Sequence, residues 1–274
     1  LAAQEVGKPL AVVMERQLKK PPRAVKNAII LDQTDKTFTD WCLWVIEGCQ
    51  DLCSIYEVWG EPQCPILSQG KIPPMRLSAW LRVIRDSLPS DVKIANGGIG
   101  IGPWKDIEFQ QMLAAGVSFN IDLVNLHPFS FQGADYVQAK FLDWMFSACG
   151  YLLGTYGQAD LPMMVSEWGY PSDISVNESS LLVSQVIPMP IKPATEEEQA
   201  DIMDACFKVF DKYNVGPVCL MSRDICEPTF DEQTKNFWGF HCGILRSDLS
   251  RKPSYRIVRK WGNRLRKREQ CLSR

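Results

Sequence analysis

A chain of 274 residues with 46% apolar and 23% charged side chains can bury a sizeable core, and its composition is that of an ordinary globular domain. No apolar run approaches the roughly 20 residues that cross a bilayer. The net charge of −2 is uneven: residues 251–274 hold ten Lys/Arg against one acid, Glu269, while residues 1–250 hold 20 basic and 31 acidic side chains.

In chain order, short apolar runs alternate with longer segments of helical period. Leu10–Met14 reads as a strand, and Ala28–Leu31 is an optional second one within a long connection. Thr37 to Cys53 has helical spacing through Phe38, Trp41, Leu43, Trp44 and Ile46, which puts Cys49 and Cys53 on one helical face. Ser54–Trp59 is a strand. Leu77–Leu88 is a helix closed by Pro89, and Val92–Ala95 is the next strand. Phe109–Ala115 is helical up to Gly116. The strand Asp122–Leu126 leads into His127-Pro128-Phe129. A long helix covers Tyr136–Leu153, and the strand Pro162–Ser166 runs into Glu167. Thr195 and Glu198 make a capping box that opens a helix to about Lys212. Gly216–Met221 is the last strand. Tyr255, Val258, Trp261 and Leu265 then mark a terminal helix at about 253–268, packed by one face with its basic side in water.

This βαβα alternation is the mark of an α/β fold with a parallel sheet, and with no repeat or low-complexity linker we read one domain over residues 1–274. The basic tail lacks aromatic-basic interleaving or a recognition motif, so we expect no nucleic-acid partner and no membrane partner. The ten cysteines show no zinc spacing; Cys42, Cys149, Cys206 and Cys219 sit in apolar runs as small hydrophobes, and the compartment stays open. Gly97-Gly98-Ile99-Gly100 lacks the Lys-Ser/Thr of a phosphate loop and reads as a flexible strand-end loop. Asn177-Glu-Ser is a lone glycosylation sequon.

Chemistry-bearing residues gather after the strands: Glu61, Asn96, His127, Glu167 and Arg223-Asp224. In barrels and open α/β sheets, sites form at the carboxyl ends of strands. Glu61 and Glu167 each follow an apolar run and are flanked by tryptophan and glycine. A salt-bridged strand end explains either glutamate alone. The pair in matching frames suggests a sugar-cleaving acid and nucleophile. His127 is either a ligand of this site or a buried structural histidine. Trp59, Trp104, Trp168 and Trp238 are candidate sugar platforms, with Trp168 favoured by its place beside Glu167.

Read together, Tyr56-Glu57-Val58-Trp59-Gly60-Glu61-Pro62 resembles the W-x-x-W-N-E-P segment of the clan A glycoside hydrolases. Val165-Ser166-Glu167-Trp168-Gly169-Tyr170 resembles their nucleophile strand, and Leu126-His127-Pro128-Phe129 their sixth-strand H-x-Y segment. The closing run from Trp238-Gly239-Phe240 to Lys252-Pro253-Ser254-Tyr255 is similar to the clan's ending. The resemblance covers nearly the whole chain and is nearest to the β-xylosidase and α-iduronidase group. It implies a (β/α)8 TIM barrel that lacks the first two βα units here, completed by an upstream segment or a partner chain. It further implies a retaining glycosidase acting on a β-linked oligo- or polysaccharide without metal or organic cofactor. Glu61 would be the acid/base, Glu167 the nucleophile, and His127, Trp168, Tyr170, Asn96 and Trp59 the substrate contacts. Gly60 departs from the clan's asparagine, and Asn96 or Asn125 would have to replace it. That departure keeps a second reading open: a non-catalytic glycan-binding or scaffold barrel.

Overall fold

The computed structural model describes residues 10–14, 33–63, 72–100, 106–129, 135–172, 194–225 and 241–272. They fall into two compact units, Leu1–Pro128 with Ala148–Ser166, and Phe129–Ser147 with Glu167–Arg274. Ala28–Leu31, Trp104, Asn177 and Trp238 lie outside the described residues.

In the first unit the strands β1 (Leu10–Met14), β2 (Cys53–Val58) and β3 (Lys93–Asn96) pair in parallel in chain order. The helices α1 (Gln33–Cys49) and α2 (Pro74–Asp86) connect them. β4 (Ile99–Gly100) and β6 (Met163–Trp168) flank β5 (Val124–His127), all again parallel. Leu123, just before β5, bridges Ala95 of β3, so each main strand lies beside its predecessor. Between β4 and β5 run α3 (Asp106–Ala114) and a 3₁₀ turn over Val117–Asn120. The long helix α4 (Asp135–Thr155) precedes β6.

Local chemistry explains the boundaries. Pro74 at the first position of α2 needs no N–H partner there. Gly116, at φ 77°, makes the left-handed turn that ends the α3 segment. α1 stops at Cys49 because Leu52 N–H closes a turn on its carbonyl. Cys53 therefore starts β2, and the shared helical face expected for Cys49 and Cys53 does not exist. The Cys53 thiol donates to Ile55 O at 2.9 Å.

One face of β2 points to the helices. The Tyr56 hydroxyl donates to Cys53 O at 3.1 Å and reaches Ile46 O of α1 at 3.4 Å. The opposite face carries Ile55, which packs against Ala95, Leu123 and Met164. Glu57 shares the face of Ile55, one pleat nearer the carboxyl end. Outside the sheet, Phe38, Trp59 and Trp80 form an aromatic cluster with centroids 4.5–5.6 Å apart. The buried Asp35 anchors it by accepting from Trp80 Nε1 at 2.7 Å and Arg76 Nε at 2.5 Å.

The second unit holds α5 (Glu196–Lys212), β7 (Val218–Leu220) and α6 (Pro253–Leu272). The capping box is present: Thr195 Oγ1 accepts from Glu198 N–H, and Glu198 Oε2 accepts from Thr195 N–H. Glu196, Glu197 and Glu198 also complement the positive end of the helix. α6 packs on α5 through Trp261, whose Nε1 donates to Asp204 at 2.8 Å, while Lys260 and Arg264 pair with Asp204 and Asp211. Part of the basic tail is thus matched by the acidic side of α5, while Arg256, Arg259, Arg266 and Lys267 are exposed.

Candidate active site

The first glutamate sits on a forced turn. After Val58 the chain leaves β2 through Trp59 at φ 72° and Glu61 at φ 37°, both in the left-handed region that non-glycine residues avoid. Such residues cost on the order of 1–3 kcal/mol each and persist where neighbours over-determine them. Here the neighbours are visible. The Trp59 ring is locked between Phe38 and Trp80, and Pro62 is buried behind it. Gly97 lies so close that a Cβ there would stand 2.6 Å from Trp59 O. The turn holds up Glu61, whose side chain keeps 19% of its surface open. Pro62 and Gln63 beyond it line a hollow of about 140 Å3 with Ile72, Leu77 and Met112.

His127 ends β5 and is 4% exposed. Its Nδ1 is 2.9 Å from Glu61 Oε1, and its Nε2 is 2.9 Å from Ser166 Oγ. Asn125 sets Ser166 in turn, donating from Nδ2 to Ser166 Oγ (2.8 Å) and accepting Ser166 N–H on Oδ1 (2.9 Å). Behind the ring lies Glu57, wholly buried, with Oε1 3.9 Å from His127 Nε2. Gly98 N–H donates to that same oxygen at 2.7 Å. Burial pushes the Glu57 carboxyl above its ordinary range, and the His127 charge, Ser166, Gly98 N–H and Asn125 pull the other way.

The Gly97–Gly100 segment is therefore not a loose loop. Ile99 and Gly100 pair with β5, and a Cβ on Gly98 would stand 1.9 Å from His127 Nε2. Glycine here lets the backbone touch the imidazole. Asn96 is also committed to the protein: its Nδ2 donates to Gly97 O and Asn125 O, and its Oδ1 accepts from Asn125 N–H. Both amides, Asn96 and Asn125, are thus engaged in bracing the strand ends.

Glu167, Trp168 and Tyr170 belong to the second unit. Glu167 lies within β6, one residue before the strand's last, and not beyond its end. Trp168 is fully buried, edge-on to Phe210 at 5.2 Å and to Phe207 at 6.2 Å, so its ring packs the core under α5. Tyr170 is fully buried too, and its carbonyl accepts from Gln199 Nε2 at 2.6 Å. Trp168 O takes the N–H of Met221, just after β7. A Cβ on Gly169 would meet Cys242 at 2.8 Å, so glycine admits the 241–243 segment alongside. Lys252, 2% exposed, ties this layer together by pairing with Asp224 at 2.6 Å and donating to Ser172 Oγ at 2.9 Å and His241 O at 3.3 Å. Asp224 also accepts Gly243 N–H, and Gln199 bridges Tyr170 O to the Ser254 hydroxyl. Asp224 is the counter-ion of a buried lysine.

No protein-family profile matches this sequence, and no curated protein does. Solved structures do. A family 17 β-1,3-glucanosyltransferase from Rhizomucor miehei superposes with a TM-score of 0.60 at 18% identity, over 92% of this chain and 77% of that one. A family 39 glycoside hydrolase from Bacteroides cellulosilyticus gives 0.55 at 16% identity, over 82% of this chain. An endo-β-1,3-glucanase of family 128 from Amycolatopsis mediterranei gives 0.53 at 11%, over 78% and 75%. This chain spans 43% of the family 39 enzyme and 60% of a similar endo-laminarinase from Formosa. The chain has the fold of the clan A glycoside hydrolases. Glu57 and Gly98 are the residues of this site that sequence reasoning passed over. The signal was available: Glu57 is the only charged residue in Cys53–Val58, and it falls on the face that alternation assigns to Ile55.

Proposed function

We propose that the protein is a retaining glycoside hydrolase acting on β-linked glycans, with Glu61 as acid/base and Glu167 as nucleophile. The observation that carries this reading is the Glu61 carboxyl, raised on a strained turn at a strand's carboxyl end and held by His127 at 2.9 Å. In the first step Glu61 gives its proton to the glycosidic oxygen while Glu167 attacks the anomeric carbon. The aglycone departs and a glycosyl ester forms on Glu167. In the second step Glu61, now a carboxylate, takes a proton from water, which displaces the ester and returns the sugar with retained configuration. This chemistry needs carboxyl groups about 5–5.5 Å apart. Several structural neighbours are named for β-1,3-glucan chemistry, so laminarin is the first polysaccharide to test.

A 2-fluoro-glycoside trap tests the nucleophile. Mass spectrometry is expected to find one label on Glu167 that is missing in Glu167→Gln. Labelling at another residue, or no turnover on any β-linked aryl glycoside, would overturn the assignment. Glu61→Gln should lower kcat about 10²–10⁴-fold on poor leaving groups and far less on activated aryl glycosides, which need little protonation. Gly60 favours the second reading, a barrel that binds glycan without cleaving it. Under that reading, isothermal titration would detect laminari-oligosaccharide binding with no release of reducing ends. Gly60→Asn discriminates between the two: in a working enzyme it should raise kcat/KM about tenfold or more by restoring a contact to the sugar 2-hydroxyl.

A further inference from the structure

Glu57 has no part in the double displacement, yet it is the most completely buried carboxyl described in the first unit. Burying a carboxyl without compensation is costly, and replacing it with an apolar side chain would remove that cost. Its compensation is partial. Oε1 accepts the Gly98 N–H, whereas among the described residues Oε2 has no hydrogen-bond partner within ordinary geometry. What the carboxyl does have is His127, 3.9 Å away, and His127 in turn holds Glu61. Three titratable groups therefore stand in line, with the imidazole in the middle.

The hydrogen bonds around the ring define its options. Ser166 Oγ already accepts from Asn125 Nδ2, so its own proton is available for His127 Nε2 or for the Glu57 carboxyl. With Glu57 protonated, a neutral ring can accept that proton on Nε2 and present Nδ1–H to Glu61. With Glu57 ionised, the doubly protonated ring is favoured, Nε2–H points to Ser166, and a full positive charge faces Glu61. Glu57 on β2 and Glu61 on the turn after it are the titratable groups shown facing the ring from the first unit. Gly98 preserves the arrangement, since any side chain there would displace the imidazole.

Resting on the glycosidase reading for its consequence but not for its test, we propose that Glu57 is a positioning residue. It fixes the charge and tautomer of His127 and, through that ring, decides when Glu61 holds its proton. The chain has two histidines, so imidazole titration by NMR is assignable with a His241→Asn control. In Glu57→Gln, which keeps an acceptor for Gly98 N–H, the His127 midpoint should fall by about one pH unit or more, because a neighbouring carboxylate favours imidazolium. His241 should not move. For an active enzyme, kcat should fall while KM stays within twofold, since Glu57 does not touch sugar.

An unchanged His127 titration in folded Glu57→Gln would overturn the proposal. Should that variant not fold, carbon-13 labelling of glutamate in the wild-type chain decides. Glu57 and His127 must then show a shared inflection, and independent titration curves would sink the idea. If His127 moves but no glycoside is ever hydrolysed, the catalytic reading fails and the role of Glu57 stands. If glycosides are hydrolysed and His127 does not move, the reverse holds.

Discussion

The two glutamates stand in contrasting settings. Glu61 is carried by a turn with two left-handed residues, and its carboxyl leans on a histidine that itself faces a buried acid. Glu167 lies in a regular strand, and the order around it comes from backbone: Trp168 O, Tyr170 O and Ser172 N–H each bond to a neighbouring segment. One region sets titratable side chains against each other, and the other clamps a chain path through the Lys252–Asp224 ion pair. The contrast fits the proposed roles: an acid/base needs titratable neighbours, whereas a nucleophile needs a rigid frame.

That contrast can be broken first at Lys252. Lys252→Ala removes a buried cation and leaves Asp224, 15% exposed, without its partner, which should cost about 3–5 kcal/mol in denaturant unfolding. His127 titration should be untouched in whatever fraction remains folded. Next in size, Gly98→Ala forces a methyl into the imidazole and should cost about 1–3 kcal/mol, with the His127 signal displaced. A structure of Gly98→Ala with His127 unmoved would show that the backbone at residue 98 can yield to a side chain.

A smaller effect has a pH signature. Burial holds the Glu57 carboxyl above its ordinary 4.5 in the folded chain, so the folded state keeps a proton that the unfolded state has lost. Glu57 is then least costly below pH 4.5, and stability falls as pH rises toward its folded value. Glu57→Gln should therefore gain stability relative to wild type above pH 4.5, a gain that chemical denaturation at pH 4 and pH 8 would reveal. Asp204, distant from both glutamates in sequence, has the opposite sign. Partial burial opposes its ionisation, but Lys260, Trp261 and Lys208 together hold it down at about 2. Its contribution is present above about pH 4 and lost as pH falls toward 2. Asp204→Asn should cost about 1–2 kcal/mol at pH 7 and flatten the acid limb of the stability curve between pH 4 and 2.

Much of the fold was legible because period and punctuation agree locally. Leu10–Met14 matches its strand residue for residue, the Thr195/Glu198 capping box starts α5, and Pro74, Gly116 and Lys212 sit near helix ends as their backbone chemistry requires. Where a segment's neighbours in space decide, local reading stopped short. Cys49 and Cys53 look like helix partners four residues apart until a turn on Cys49 O starts a strand. Trp168 looks like a sugar platform beside Glu167 until α5 lays Phe207 and Phe210 against its ring. Asn96 looks free to reach a ligand until Asn125 claims both ends of its amide.

The alternating pattern and the strand-end residues carry the parallel α/β class and the two glutamates on the chain alone, because side-chain period and cap chemistry act over a few residues. Packing assigned the rest: Gly98 at van der Waals limits from His127, Glu57 behind the same ring, and Lys252 beneath the exit of β6. These partners are 29 to 80 residues apart in sequence, and a buried charge or a missing Cβ acquires its meaning only from what the folded chain sets against it.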